Sequence, residues 1–371
     1  MDNYLLGQDN TPTPKQLKPI NSKLHLEPQW VVTIGATVEQ NIYSKLKPIV
    51  MNNIMYFTDI QGYIWAINVN TGKIIWKNKI NGSFSSGIAI HNGVIVSGTN
   101  QSELIAFKQK DGAILWKHKV SSDILAQPLI ISNKIVVKTI DGNVYAFDIV
   151  HGNKLWRSVH GSPNLVLKVS SAPVAINNQM ILVGYSDGKL DAIELNTGNV
   201  VWQRSIAYTN GVSDIERLID IDADPIVHGN VVFIANYQGD VGAFSLDTGE
   251  FIWRKSISTY KNMLLYDNML YIVDSKDIIW AINSQNGQVY WKQTVLKSRN
   301  LTEPVIYKQY LFIGDKTGLL HILNSRNGVA VARVAMKNNV NIAPIIYENH
   351  VYVITNHELS RYLLKLNGKS T

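Results

Sequence analysis

AINVNTGKIIW at 66–76 returns as AFKQKDGAILW (106–116), AFDIVHGNKLW (146–156), AIELNTGNVVW (192–202), AFSLDTGEFIW (243–253) and AINSQNGQVYW (281–291), each closing on a tryptophan. HILNSRNGVAV (321–331) keeps the turn but carries Val331 at the closing position. Successive Trp spacings of 40, 40, 46, 51 and 38 residues mark a chain of repeated units, each burying its apolar face against a neighbour, rather than one ordinary core.

Between these phrases lies a second recurring segment: MYFTDIQGYIWAI (55–67), IVVKTIDGNVYAF (135–147), ILVGYSDGKLDAI (181–193) and VFIANYQGDVGAF (232–244). Each is a β-rich run broken by a short polar turn ending in Gly, and Asp141-Gly142 and Asp187-Gly188 are strong hairpin signals. A shorter run often opens the unit on proline, as at Pro48, Pro128, Pro173, Pro225, Pro304 and Pro344. The count is four strands per unit of about forty residues, with no helical segment, which predicts a β-propeller.

Central hairpins near 54–67, 94–107, 135–147, 180–193, 231–244, 269–282, 310–323 and 351–365 give eight blades. The last stops before its fourth strand, and Gln29-Trp30-Val31-Val32-Thr33-Ile34 at the other end is an orphan copy of that strand. Pairing the two ends closes the ring and removes its free edges. The expected organisation is a flexible arm over 1–28, polar and rich in proline, and one eight-bladed all-β propeller domain over 29–371. The repeated Trp is expected to pack between blades.

Bulk properties exclude more than they assign. No apolar run approaches 18 residues. The net charge is +7, but the Lys and Arg residues are spread along the chain, and several follow the repeated Trp (Lys77, Lys117, Arg157, Arg254, Lys292) where they solvate outer strands. No basic cluster is interleaved with stacking aromatics, so nucleic acid is not an expected partner. The absence of cysteine suits an exported chain needing no disulfide and is equally compatible with the cytoplasm.

No catalytic constellation is legible. The nine histidines lack metal-ligand spacing, His357-Glu358 opens no H-E-x-x-H motif, and neither a G-x-S-x-G elbow nor a P-loop occurs. The run Asp220-Ile-Asp222-Ala-Asp224 has the i, i+2, i+4 spacing that opens a calcium loop, but lacks its glycine and closing Glu. In an extended segment these carboxylates share one face, available to a basic partner. No metal, cofactor or catalytic residue is therefore expected.

The loops carry more information. The two long Trp spacings place extra residues in HGSPNLVLKVSSAP (160–173) and AYTNGVSDIERLIDIDADP (207–225), equivalent connections on consecutive blades. Insertions on a rigid scaffold are where binding resides. Leu165 and Leu167 read as apolar anchors or as core, Lys168 as a cation beside them, and Asp220 and Asp222 as an acidic neighbour: the makings of a protein-docking surface.

On these two loop segments, together with the eight repeats, the chain resembles the BamB family, lipoprotein subunits of the β-barrel assembly machinery of the Gram-negative outer membrane. The resemblance spans residues 25–371. It implies a periplasmic, lipid-anchored, non-enzymatic scaffold that binds the POTRA domains of BamA and assists folding and insertion of outer-membrane proteins, unfolded clients being further candidate partners. The family's partner-binding residues correspond to Leu165, Leu167, Lys168, Asp220 and Asp222. Lys168 stands where the family has arginine, which keeps the charge but loses the planar fork. The lipidated cysteine is absent, and Met1-Asp2-Asn3 reads as replacing it in a soluble mature chain. The blade repeat is also shared with pyrroloquinoline-quinone dehydrogenases. Such an enzyme needs a calcium ion, an aspartate base and converging cations in a central funnel, and a vicinal cysteine pair is missing here. A generic propeller adaptor is the other alternative.

Overall fold

The computed structural model describes residues 12–36, 45–161, 169–206 and 220–366. Its strands form eight four-stranded antiparallel sheets. Seven are simple meanders in chain order, which we call blades 1 to 7, spanning 49–79, 84–119, 129–159, 174–205, 226–255, 264–293 and 305–335. Blade 8 combines Ile345–Tyr347, His350–Ile354 and Glu358–Leu366 with Leu24–Thr33 from the start of the chain. In that closure Trp30 lies opposite Arg361 and Thr33 opposite Glu358, with a register shift between Pro28 and Trp30.

The closing strand is longer than its Trp phrase suggested, beginning at Leu24 rather than Gln29. Leu24 and Leu26 alternate with polar residues and are buried against blade 7. Preceding residues are also held: the Lys15 and Lys18 carbonyls accept hydrogen bonds from Arg299 and Arg333, and Leu17 packs at the blade 6–7 interface.

Each hydrophobic core lies between two blades rather than within one. Met55, Phe57, Trp65 and Ile67 of blade 1, for example, pack on Tyr352, Ile354 and Leu359 of blade 8. The middle strands are buried on both faces, whereas outer strands alternate toward solvent, as in Ile74–Lys79. Amphipathic alternation thus belongs only to the outer strand, which explains why the inner hairpins read as continuous apolar runs.

The repeated Trp locks one blade to the next. The Trp76 indole Nε1 donates to the Gln109 carbonyl at 3.2 Å, and the Trp76 ring covers Gly112, where a Cβ would lie 2.5 Å from it. Gly112 also has φ +71°, so both the turn and the neighbouring indole require glycine. The same interlock joins Trp30 to Val69, Trp116 to Ile149, Trp156 to Leu195, Trp253 to Ser284 and Trp291 to Ser325. Trp30 performs it from the N-terminal strand, confirming that this strand is the displaced copy. At blade 4 the pattern changes: Arg204, stacked over Trp202, faces Gly249 in place of an indole.

Candidate functional site

Both long loops leave an outer strand and return to the innermost strand of the next blade. The Asp220–Asp224 run forms the returning root of the second loop. Its side chains do not form a solvent-facing acidic stripe: Asp220 and Asp222 are 0 % and 1 % exposed, and Ile221 and Ala223 are equally buried. Tyr237 N–H donates to the Asp220 carbonyl at 2.9 Å, which ties the segment to blade 5. Ile221 sits against Gly184, where no Cβ would fit, and joins the core between blades 4 and 5.

A buried lysine bonds the backbone of this run and the Asp224 carboxylate. Lys45, from the segment entering blade 1, donates through Nζ to the Ser170 carbonyl at 2.8 Å, the Asp222 carbonyl at 2.5 Å and Asp224 Oδ1 at 2.8 Å. Asp224 also accepts from Ala172 N–H at 2.7 Å and from Asn262 Nδ2 at 2.7 Å. Lys47 forms an ion pair with Glu303 at the entry to blade 7. Lys138 of blade 3 reaches Ser171 Oγ at 3.1 Å and the Gly184 carbonyl at 2.6 Å. Residues entering blades 1, 4, 5, 6 and 7 thus meet in one buried polar cluster. Blades 1 and 5 lie opposite each other in an eight-membered ring, so the cluster spans the axis.

Its electrostatics are strongly coupled. Burial favours the neutral form of Lys138 and, with the nearby Lys45 charge, pulls it down to about 7 against the attraction of Asp222, Asp224 and Asp220. Burial and the Asp220 charge push Asp222 up to about 8. For Asp224 burial again opposes ionisation, but Lys45 and Lys47 prevail and hold its carboxyl below the usual range. Lys45 and Lys47 frame the Asp224 carboxylate, while burial and the Asp220 charge favour the protonated form of Asp222.

The departing root of the first loop is fixed separately. His160 stacks on Tyr185 with ring centroids 3.6 Å apart and planes within 6°. Its Nε2 lies 3.0 Å from Asp187 Oδ2 and its Nδ1 3.2 Å from Asp191 Oδ2. Burial disfavours the imidazolium, yet the two carboxylates outweigh it and hold His160 up to about 9. Asp187, whose burial acts the other way, is brought down to about 2 by His160 and Lys189.

Leu165, Leu167 and Lys168 lie outside the described residues. Asp220 and Asp222 are brought together, but inside the chain. Lys45, Lys47, Lys138, His160, Asp224 and Glu303 complete the site without having been singled out in the sequence, apart from Asp224 as a member of its acidic run. Among the described residues no three His, Asp or Glu side chains converge as a metal site. The arrangement is chemically one of support: buried ion pairs that fix loop roots.

Fold and elaborations together define an eight-bladed propeller of the interlocking-Trp class whose adornments fall on two consecutive inter-blade connections. The family model for outer membrane protein assembly factor BamB matches residues 45–293. The outer membrane protein assembly factor BamB of Legionella pneumophila (strain Paris) is 52% identical over 98% of this chain and 94% of its own length. That of Escherichia coli (strain K12) is 34% identical over 82% and 80%. The crystal structure of BamB from Moraxella catarrhalis superposes with a TM-score of 0.82 at 25% identity, covering 91% of this chain and all of that one. The chain belongs to the BamB family of outer membrane protein assembly factors. A quinohemoprotein alcohol dehydrogenase from Pseudomonas putida HK5 also superposes, with a TM-score of 0.74 at 14% identity over 94% of this chain and 77% of that one; this likeness is one of fold alone.

Proposed function

We propose that this chain docks onto the POTRA domains of BamA through the tips of loops 160–173 and 207–225, at the periplasmic face of the outer membrane, with an N-terminal lipid holding the native form there. Its broader role follows from its family: it is a non-enzymatic scaffold subunit in outer membrane protein assembly. The observation that carries the docking reading is the shared root. Loop ends from adjacent blades are bonded to each other, Ala172 N–H to Asp224 Oδ1, and to one polar cluster, so the two loops share a common base.

A pre-fixed pair of loops loses little conformational freedom on binding, which raises affinity without added contact area. Leu165 and Leu167 supply apolar anchors and Lys168 a cation for a partner carboxylate. Asp220 and Asp222 act from beneath, as part of the buried root, instead of meeting the partner's basic groups directly.

Calorimetric titration with the POTRA domains of the cognate BamA tests this. Saturable binding is expected, weakened at least tenfold by Leu165→Ala or Leu167→Ala and unaffected by Val329→Ala, which alters an exposed valine on blade 7. Failure of the folded wild-type chain to bind contradicts the two-loop docking model.

A further inference from the structure

We propose that Lys45 is a positioning residue for the docking face, reaching across the ring to set the spacing between the roots of the two long loops; this rests on the docking role given to those loops above. An ammonium has three N–H donors, and Lys45 places all three on loop roots. One goes to the first loop, at the Ser170 carbonyl, and two to the second, at the Asp222 carbonyl and Asp224 Oδ1. The partners are 125, 177 and 179 residues away in sequence, so nothing local in the fold demands the contacts.

The segment 45–47 is itself held against blades 1, 2 and 7. Leu46 is buried in the core between blades 1 and 2. Lys47 pairs with Glu303 at blade 7. The Lys45 carbonyl lies against Gly87 of blade 2, so closely that a Cβ there would sit 2.7 Å away. Lys45 is therefore a fixed strut, not a long side chain that happens to find an acceptor. Its side chain is 5 % exposed, whereas Asp224 keeps 25 % of its side chain accessible, so the ammonium end of the pair is the shielded one. Removing the ammonium leaves the Asp224 carboxylate and two carbonyls without that donor, while the Ala172–Asp224 bond still ties one root to the other.

The chemistry also separates Lys45 from its neighbour. Lys47 shares the segment and the charge, but its direct ion pair goes to Glu303, on neither loop, and it acts on Asp224 through its charge alone, without a bond. A purely structural cluster would respond alike to loss of either lysine. A positioning strut responds at the loop roots far more to Lys45, which bonds them directly.

The test compares Lys45→Met, which keeps the aliphatic stem, with Lys47→Met in the full chain. Hydrogen–deuterium exchange needs no partner: Lys45→Met is expected to speed exchange at least tenfold in 169–173 and 220–225 while the strand Ile54–Thr58 keeps its protection, and Lys47→Met, which removes a charge near Asp224 but no bond to either root, is expected to change the roots less than about threefold. Titration with the POTRA domains should show at least tenfold weaker binding for Lys45→Met, with less than additive loss when combined with Leu165→Ala. Equal exchange in both variants, or a uniform rise across all blades, overturns the proposal. If Lys45→Met does not fold, Asp224→Asn replaces it, and unchanged exchange at 169–173 in that variant overturns it equally. Root loosening with no binding by the wild-type chain refutes the docking reading while leaving the strut intact.

Discussion

Replacing His160 by glutamine removes a cation held between two carboxylates, and the loss must depend on pH. Both ring nitrogens of His160 lie within hydrogen-bond distance of carboxylates, at 3.0 Å from Asp187 and 3.2 Å from Asp191, which makes the imidazolium the favoured species. Its side chain is 6 % exposed and that of Asp191 2 %, so solvent screens that bond weakly, and the bond to the half-buried Asp187 more. A histidine held up to about 9 against an ordinary value of about 6.5 is favoured in its charged form by about 3 kcal/mol, at about 1.4 kcal/mol per pH unit. The lowered Asp187 expresses the same interaction from the other side and is not added to it. The folded value lies above the unfolded one, so the stabilisation is complete below about pH 6.5 and disappears as pH rises through about 9. Urea unfolding of wild type and His160→Gln at pH 6, 7.5 and 10 reads the difference directly, and groups titrating alike in both proteins cancel. The gap is expected to be about 3 kcal/mol at pH 6 and to shrink to its uncharged remainder at pH 10. A gap flat across this range, or an imidazole resonance of His160 titrating near 6.5, refutes the reasoning.

The inter-blade lock gives a graded series: Trp76→Phe removes the bond to Gln109 and costs about 1 kcal/mol, and Trp76→Ala about 3–5 kcal/mol, both measured by denaturant midpoint. Gly112→Ala, which drives a Cβ into that indole at a positive φ, is expected to cost more than about 1 kcal/mol and to lose part of this cost when Trp76 is also Ala. Asp222, held up to about 8, must take up a proton on folding at neutral pH, a cost absent below about pH 4 and growing toward pH 8. Asp222→Asn therefore raises the unfolding midpoint at pH 7.5 but not at pH 4. Its POTRA affinity stays within about twofold of wild type, because the Lys45 bond goes to the backbone carbonyl of residue 222.

The ring was legible because its lock is written locally. A turn glycine and, in all phrases but the last, a tryptophan four residues later encode both halves of an interface, since every phrase indole except Trp202 meets the glycine of the following unit. Closure was legible for the same reason, Trp30 being a tryptophan without a phrase. The earlier start of its strand was also present, in the alternation Leu24-His25-Leu26-Glu27, but Pro28 and the bulge beside it interrupt the period. The loop roots were legible only as insertions. Extended spacing puts Asp220 and Asp222 on one face, and no local signal says whether that face meets water or a buried lysine. What decides is Lys45, 177 residues from Asp222, and Lys138, whose contacts lie 33 and 46 residues away. Ion pairs between distant blades leave no periodicity. His160 is equally silent, as its carboxylates come from the hairpin of the next blade, 27 and 31 residues on.

The central proposal is that the loops 160–173 and 207–225 face BamA. A photo-crosslinking amino acid at position 165, introduced into the protein in intact cells, tests it without isolating any part. Irradiation is expected to join position 165 to the POTRA region of BamA, whereas the same group at exposed position 150 on blade 3 yields no such product. Crosslinking to BamA from position 150 but not from 165 contradicts the account.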